Sequence, residues 1–251
     1  MFAKLKKIIA RLICNNTVGK LIGFTLRNKI SYFNKTIILT NSPFITPYIK
    51  SMLYWRLYES AEAKSVMKYI NDSHDIIELG SSIGAISSLS GKYKGDKKLV
   101  CIEVNSDLIP VIEKNLVYNE VKNYSIKNIA IGNNSQDLWF TPGVHSTHGQ
   151  VGKKMSNNSI KIKVISLSEL LKIEQIKDYN LICDIEGSEI DILLSNPESL
   201  LNCQTLIIET HKVERNGRIF LPSDMKEIIL KLGFACVEER DVNFVFKRLG
   251  K

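Results

Sequence analysis

Residues 76–88, IIELGSSIGAISS, decide how this chain folds. An apolar run reaches Glu78, passes Gly80 and Gly84, and continues as small residues compatible with a helix. A strand, a glycine turn and a helix start, in that order, let a ligand sit against backbone N–H groups at the helix N-terminus. A second apolar run over 99–104 carries Glu103. That carboxylate stands about 20 residues beyond the turn, where such folds bind ribose hydroxyls. The two together imply a nucleoside-containing cofactor.

Strands and helices alternate on both sides of this unit. The pattern predicts helices over 58–70, 107–119 and 222–232, with Pro110 and Pro222 in first turns and Gly233 as a stop. It predicts strands over 99–104, 124–131, 160–165, 181–183 and 205–208, then a closing antiparallel hairpin over 234–239 and 242–246. The expected fold is α/β, a doubly wound and mostly parallel Rossmann-like sheet with a C-terminal antiparallel hairpin. Residues 58–251 form that domain, and residues 1–57 a basic, partly helical N-terminal extension. Ligands in such sheets bind beyond the carboxyl ends of the strands, which places Glu78, Glu103, Asp184 and Glu209 on one rim.

The net charge of +8 is unevenly distributed. Residues 1–58 hold ten basic side chains and no acidic one, so the remainder carries 24 basic against 26 acidic residues, a formal −2. A near-neutral body excludes a nucleic-acid-binding domain, which needs a basic face of its own. No uncharged apolar run reaches the length of about 18 residues that spans a bilayer. The five cysteines, Cys14, Cys101, Cys183, Cys203 and Cys236, form no CxxC pair and read as small buried hydrophobes, which fits a reducing cytoplasm. At the N-terminus, Phe2, Leu5, Ile9 and Leu12 share a helical face, with Lys4, Lys6, Lys7 and Arg11 largely on the others. Two readings stand: a helix packed on the core or on a second copy in a homo-oligomer, or contact of residues 1–14 with an anionic membrane. The segment lacks the features of a secretory signal.

A dinucleotide fits the glycine turn poorly. The second and third positions of the three-glycine fingerprint hold Ser82 and Ala85, and Glu78 sets a carboxylate where a pyrophosphate would be repelled by about 1 kcal/mol even through water. S-adenosylmethionine carries no phosphate but an ammonium and a sulfonium, so an acidic strand end suits it.

The residues then resemble one family in several places. IIELGSSIGAIS is similar to the DxGANxG loop of FkbM-family methyltransferases, with Glu78, Ser81 and Ser82 in place of its aspartate, alanine and asparagine. VCIEVNSDLIPVIEKNLVYN resembles that family's FEPNP segment, matching at Glu103 and Asn105. DIEGSEIDIL, from Asp184 to Leu193, resembles its D[IV]EGAE motif, and LIIETH, from Leu206 to His211, its LL.E.H strand. The resemblance covers residues 58–246 and implies an S-adenosylmethionine-dependent methyltransferase, most often acting on oxygen. It implies that Glu78, Gly80, Ser82 and Gly84 line the methionine side, that Glu103 with Asn105 serves the ribose, and that Asn128 and Ala130 surround the adenine.

Methyl transfer to a hydroxyl requires alignment and removal of a proton. Asp184 is the expected base or orienting group, with Glu209 and His211 beside it as an acid–base pair. The same three residues could ligate Mg²⁺ or another divalent metal. Glu186 reads as structural. The Gly-rich loop over 141–155, with His145 and His148, is long enough for a substrate lid or a plain surface loop. The expected acceptor is a small molecule or glycan hydroxyl. A membrane-associated scaffold keeping the cofactor fold and a nicotinamide-dependent oxidoreductase are the alternatives.

Overall fold

The computed structural model describes residues 12–132, 138–142, 149–152, 159–215 and 217–250. The chain is built around a seven-stranded sheet. We label its strands β1 (Asp75–Leu79), β2 (Leu99–Ile102), β3 (Tyr124–Lys127), β4 (Tyr179–Cys183), β5 (Cys203–Glu209), β6 (Phe234–Arg240) and β7 (Asn243–Arg248). Their order across the sheet is β6-β7-β5-β4-β1-β2-β3. Strands β1 to β5 are mutually parallel, and β7 runs antiparallel to both β5 and β6. The doubly wound sheet and its closing hairpin are therefore as expected.

Alternation along the strands explains why both faces are covered. Ile76, Leu99, Cys101, Ile182, Ile207 and Val245 enter one apolar core, and Ile77, Leu79, Val100, Ile102, Leu181, Cys183, Leu206 and Ile208 the other. Strands apolar on both faces read as continuous Val/Ile/Leu runs and need helices on each side. The first face is covered by α1 (Asn16–Thr25), α2 (Pro47–Tyr54), α3 (Ser60–Tyr69), α4 (Ala85–Ser90) and α5 (Ile109–Tyr118). The second carries α6 (Leu167–Glu174), α7 (Glu189–Ser195) and α8 (Pro222–Lys231).

Residues 16–57 are not an appendage. Ile30, Ile38 and Leu53 are fully buried in the first core together with the sheet residues. The hairpin of Lys29–Ser31 and Ile37–Leu39 is fastened to α5: Asn119 Oδ1 accepts from Ile37 N at 2.9 Å and Asn115 Oδ1 from Leu39 N at 2.7 Å. Helices α1 and α2 touch so closely at Gly19 that a Cβ there would fall 1.6 Å from the Pro47 carbonyl oxygen. The apolar residues of this basic extension join the helices that cover the first face of the sheet. The basic segment 1–11 lies outside the described residues, as do His145 and His148 of the expected lid.

Two long predicted strands break. Residues 124–131 divide into β3 and Ala130–Ile131, and 160–165 into Ile160–Ile162 and Val164–Ile165. Ala130–Ile131 leaves the main sheet to pair with Val164–Ile165, so lysine-rich alternation marked a small side sheet. Among the described residues, no helix is long and apolar enough to cross a membrane.

Candidate functional site

Strand order reverses between β1 and β4, with β2 on the far side of β1 and β5 on the far side of β4. Crevices at such switch points are where ligands bind. The loops leaving β1 and β4 are in contact there. Asp184 N donates to Leu79 O at 3.0 Å, and a Cβ added to Gly80 would lie 1.9 Å from Asp184 O. Gly80 (φ +88°) and Gly84 (φ +75°) both need the left-handed region. Ser82 adopts it too, at φ +48°.

The turn spends its own donors. Gly80 N and Ser81 N both donate to Ile102 O at 3.0 Å, and Gly84 N donates to Ser81 O at 2.8 Å. Ser82 N donates to Glu103 Oε2 at 2.8 Å. The N–H groups of Gly80, Ser81, Ser82 and Gly84 are thus spent on closing the turn or gripping Glu103.

Glu78 is corrected in place and in charge. It lies inside β1 at 2% exposure rather than on the rim, with Cys101 Sγ 4.0 Å away. Burial pushes its carboxyl up to about 8, against the weaker pull of Ser87 and Ser81. A neutral Glu78 repels no phosphate.

Glu103, just past β2, is almost fully buried and accepts from Ser82 N and from Asn105 N, the latter at 2.8 Å. Desolvation raises its carboxyl to about 7 although three backbone N–H groups oppose the rise. A carboxylate offers about four lone-pair sites, so beyond these three N–H groups it keeps about one for a ligand hydroxyl. That fits a ribose hydroxyl. The other two expected contacts shape this corner with their side chains. Asn105 Oδ1 accepts from Asp107 N at 3.1 Å, and Asn128 Nδ2 donates to the Glu103 and Val104 carbonyls at 2.9 Å each. Ala130 is buried in the side sheet.

Across the crevice, β4 and β5 deliver the charged cluster. His211 Nδ1 lies 3.1 Å from Glu189 Oε1, and its Nε2 faces Glu186 at 3.4 Å, Glu209 at 3.7 Å and Asp184 at 3.9 Å. Glu189, at the start of α7, has a fully buried side chain and also accepts from Ile185 N at 3.0 Å. The bond to Glu189 is the first cause that raises His211 to about 9, with burial opposing it. Asp184 is raised to about 7, first by desolvation and then by the charges of Glu209 and Glu186. Its Oδ1 is buried without a hydrogen-bond partner among the described residues.

Glu186, expected to be structural, is the half-exposed residue facing His211, and Glu189, for which the sequence suggested no role, is the hidden group that holds the ring. Glu186 adopts φ +53° and Gly187 φ +98°, the backbone that turns them to opposite sides. The sequence signal was helical spacing: Glu189 is the first residue of α7 and points inward.

The tightest group with metal-ligating atoms is Asp184, Glu186 and His211, all within 4.8 Å of one another, with Glu186 standing where Glu209 was expected. The nitrogen of His211 fits this set poorly to Mg²⁺, a hard cation that prefers all-oxygen ligands.

The family model "Methyltransferase FkbM domain" matches residues 78–240. No curated protein matches the chain. Among solved structures, Streptococcus pneumoniae Sp1610 in complex with S-adenosyl-L-methionine is 12% identical, covering 75% of this chain and 73% of that one at a TM-score of 0.43. A SAM-dependent methyltransferase from Aquifex aeolicus is 12% identical over 75% of this chain and 89% of its own, at 0.41. The ribosomal protein L11 methylase from Lactobacillus delbrueckii subsp. bulgaricus is 8% identical over 77% and 80%, at 0.44.

Proposed function

The chain belongs to the FkbM family of S-adenosylmethionine-dependent methyltransferases, and from that premise we propose that it methylates a hydroxyl oxygen of a sugar or secondary metabolite. The observation that carries the oxygen reading is Asp184: a carboxylate at the switch point, raised to about 7, with one buried oxygen unpartnered. When bound, S-adenosylmethionine supplies an electrophilic methyl on a sulfonium sulfur.

The chain's own residues do the rest. Glu103 accepts from a ribose hydroxyl, and the Gly80 turn, packed on Asp184, fixes the distance between donor side and acceptor side. Asp184 takes the acceptor's hydroxyl proton as the oxygen attacks. A base with pKa close to the working pH combines availability with driving force. His211 does not serve as the base, since a ring raised to about 9 carries its proton at neutral pH. It instead offsets the charges of Asp184, Glu186 and Glu209 and keeps Asp184 ionisable. Glu189 positions it, as carboxylates commonly orient functional imidazoles. The free thiols of all five cysteines suit a reducing cytoplasm.

Calorimetric titration with S-adenosylmethionine tests the donor half: saturable binding is expected, weakened by Glu103→Ala. Absence of binding by the wild-type protein would remove the proposal.

A further inference from the structure

The segment from Tyr58 to Glu62 lies upstream of the family-matched residues, which begin at 78. It is nevertheless pinned to the glycine turn. The Tyr58 hydroxyl lies 2.9 Å from Ser82 Oγ, and Tyr32 Oη donates to the Tyr58 carbonyl at 2.5 Å. Glu59, in the left-handed region at φ +44°, then turns the chain into α3, which packs across β5. The segment thus bridges the donor turn and the strand that carries Glu209.

Glu62 sits in the first turn of α3 at 4% exposure, and it makes no hydrogen bond or ion pair among the described residues. A carboxyl this deeply set, with no donor on it, is costly in its ionised form. The groups that act on it electrostatically are Glu59, Asp184, Glu209 and Glu78, all carboxyls. Desolvation is the largest cause of its raised pKa, followed by these like charges. His211, the cation of the cluster, spends its ring on Glu189, Glu186, Glu209 and Asp184. Glu62 therefore feels acceptors and has no donor among the described residues.

We propose that Glu62, with Glu59 beside it, forms the subsite for the α-ammonium of the methyl donor. The proposal rests on the donor reading of the Gly80 turn. An ammonium brings three N–H donors and one positive charge, which is what an unpartnered buried carboxyl among other carboxyls lacks. Tyr58 sets the place by touching Ser82, so the amino-acid end of the donor meets Glu62 while its ribose meets Glu103.

The test compares two ligands on the full chain. S-adenosylhomocysteine carries the ammonium; 5′-methylthioadenosine keeps the nucleoside and thioether but has no amino-acid end. Calorimetry of the wild type, Glu62→Gln and Glu59→Gln should show S-adenosylhomocysteine weakened by about tenfold or more in Glu62→Gln, with a smaller loss in Glu59→Gln. Binding of 5′-methylthioadenosine should stay within about twofold, a result that also shows the variant is folded. Unchanged S-adenosylhomocysteine affinity in Glu62→Gln would overturn the ammonium subsite while leaving the donor reading intact. Equal weakening of both ligands would overturn it as well, assigning Glu62 to the fold. Failure of the wild type to bind either ligand would overturn the subsite and the donor reading together.

Discussion

Replacing Glu78 with glutamine should change the pH dependence of stability more than stability itself. In the folded chain this carboxyl is raised from 4.5 to about 8 by burial, so between those values the native state holds a proton that the unfolded chain has lost. Wild-type stability therefore falls as pH rises through that window. At about 1.4 kcal/mol per pH unit, the cost is about 3 kcal/mol at pH 7 and approaches about 5 kcal/mol above pH 8. Glutamine fills nearly the same volume and never ionises, so this slope disappears. Urea unfolding of both proteins from pH 5 to pH 8 is the assay, with stabilities taken by linear extrapolation. The gap between Glu78→Gln and wild type should widen in the variant's favour by about 3.5 kcal/mol over that range. Other raised carboxyls, Glu103 and Asp184 among them, act in both proteins and largely cancel in the difference. Parallel curves would refute the reasoning, since they would mean that Glu78 is ionised in the fold and does repel anions from the turn.

Three further outcomes follow from the same geometry. Gly80→Ala should cost at least about 2 kcal/mol and sharply weaken donor binding, because its Cβ would meet Asp184 O at 1.9 Å on a backbone with positive φ; thermal melts and calorimetry check this, and a wild-type-like variant would contradict the contact between the two loops. Turnover should rise with pH as Asp184 ionises near about 7 and fall as His211 loses its proton near about 9, giving a bell whose limbs belong to the coupled cluster; a rate that declines steadily from pH 5 would exclude Asp184 as the base. Glu189→Gln should lower the His211 pKa from about 9 toward its ordinary 6.5, read by an NMR titration of the ring, and should bring the alkaline limb down with it.

The parts of the fold that repeat were legible in the sequence, and so was the order of the site loops. Burial of both faces of β1, β2 and β4 shows as largely apolar runs, and Gly80 and Gly84 mark the turn because only left-handed backbone fits there. Asp184, Glu209 and His211 do meet at the carboxyl ends of β4 and β5. What the sequence hid depends on side-chain direction and on contacts far apart along the chain. Glu78 and Glu103 look alike at neighbouring strand ends, yet one lies beneath the turn and the other holds it. Glu186 and Glu189 differ only in which side of a positive-φ corner they occupy. The stretch before residue 58 is basic by count but apolar where it touches the sheet, and charge alone could not reveal that. Tyr58 and Glu62 reach the site through a tyrosine–serine contact 24 residues apart in sequence, for which no local pattern exists.

The central claim is that Asp184 takes a proton from a hydroxyl while the donor is held at the Gly80 turn. It is tested most directly by mass spectrometry of nucleotide-sugar, glycan and secondary-metabolite pools incubated with methyl-labelled S-adenosylmethionine and either wild-type protein or Asp184→Asn. The account predicts a labelled methyl on an oxygen in the wild-type reaction. It predicts a loss of at least about a hundredfold in rate for Asp184→Asn, with donor affinity retained. Transfer by Asp184→Asn at the wild-type rate, or a methyl found on nitrogen or carbon instead, would contradict it.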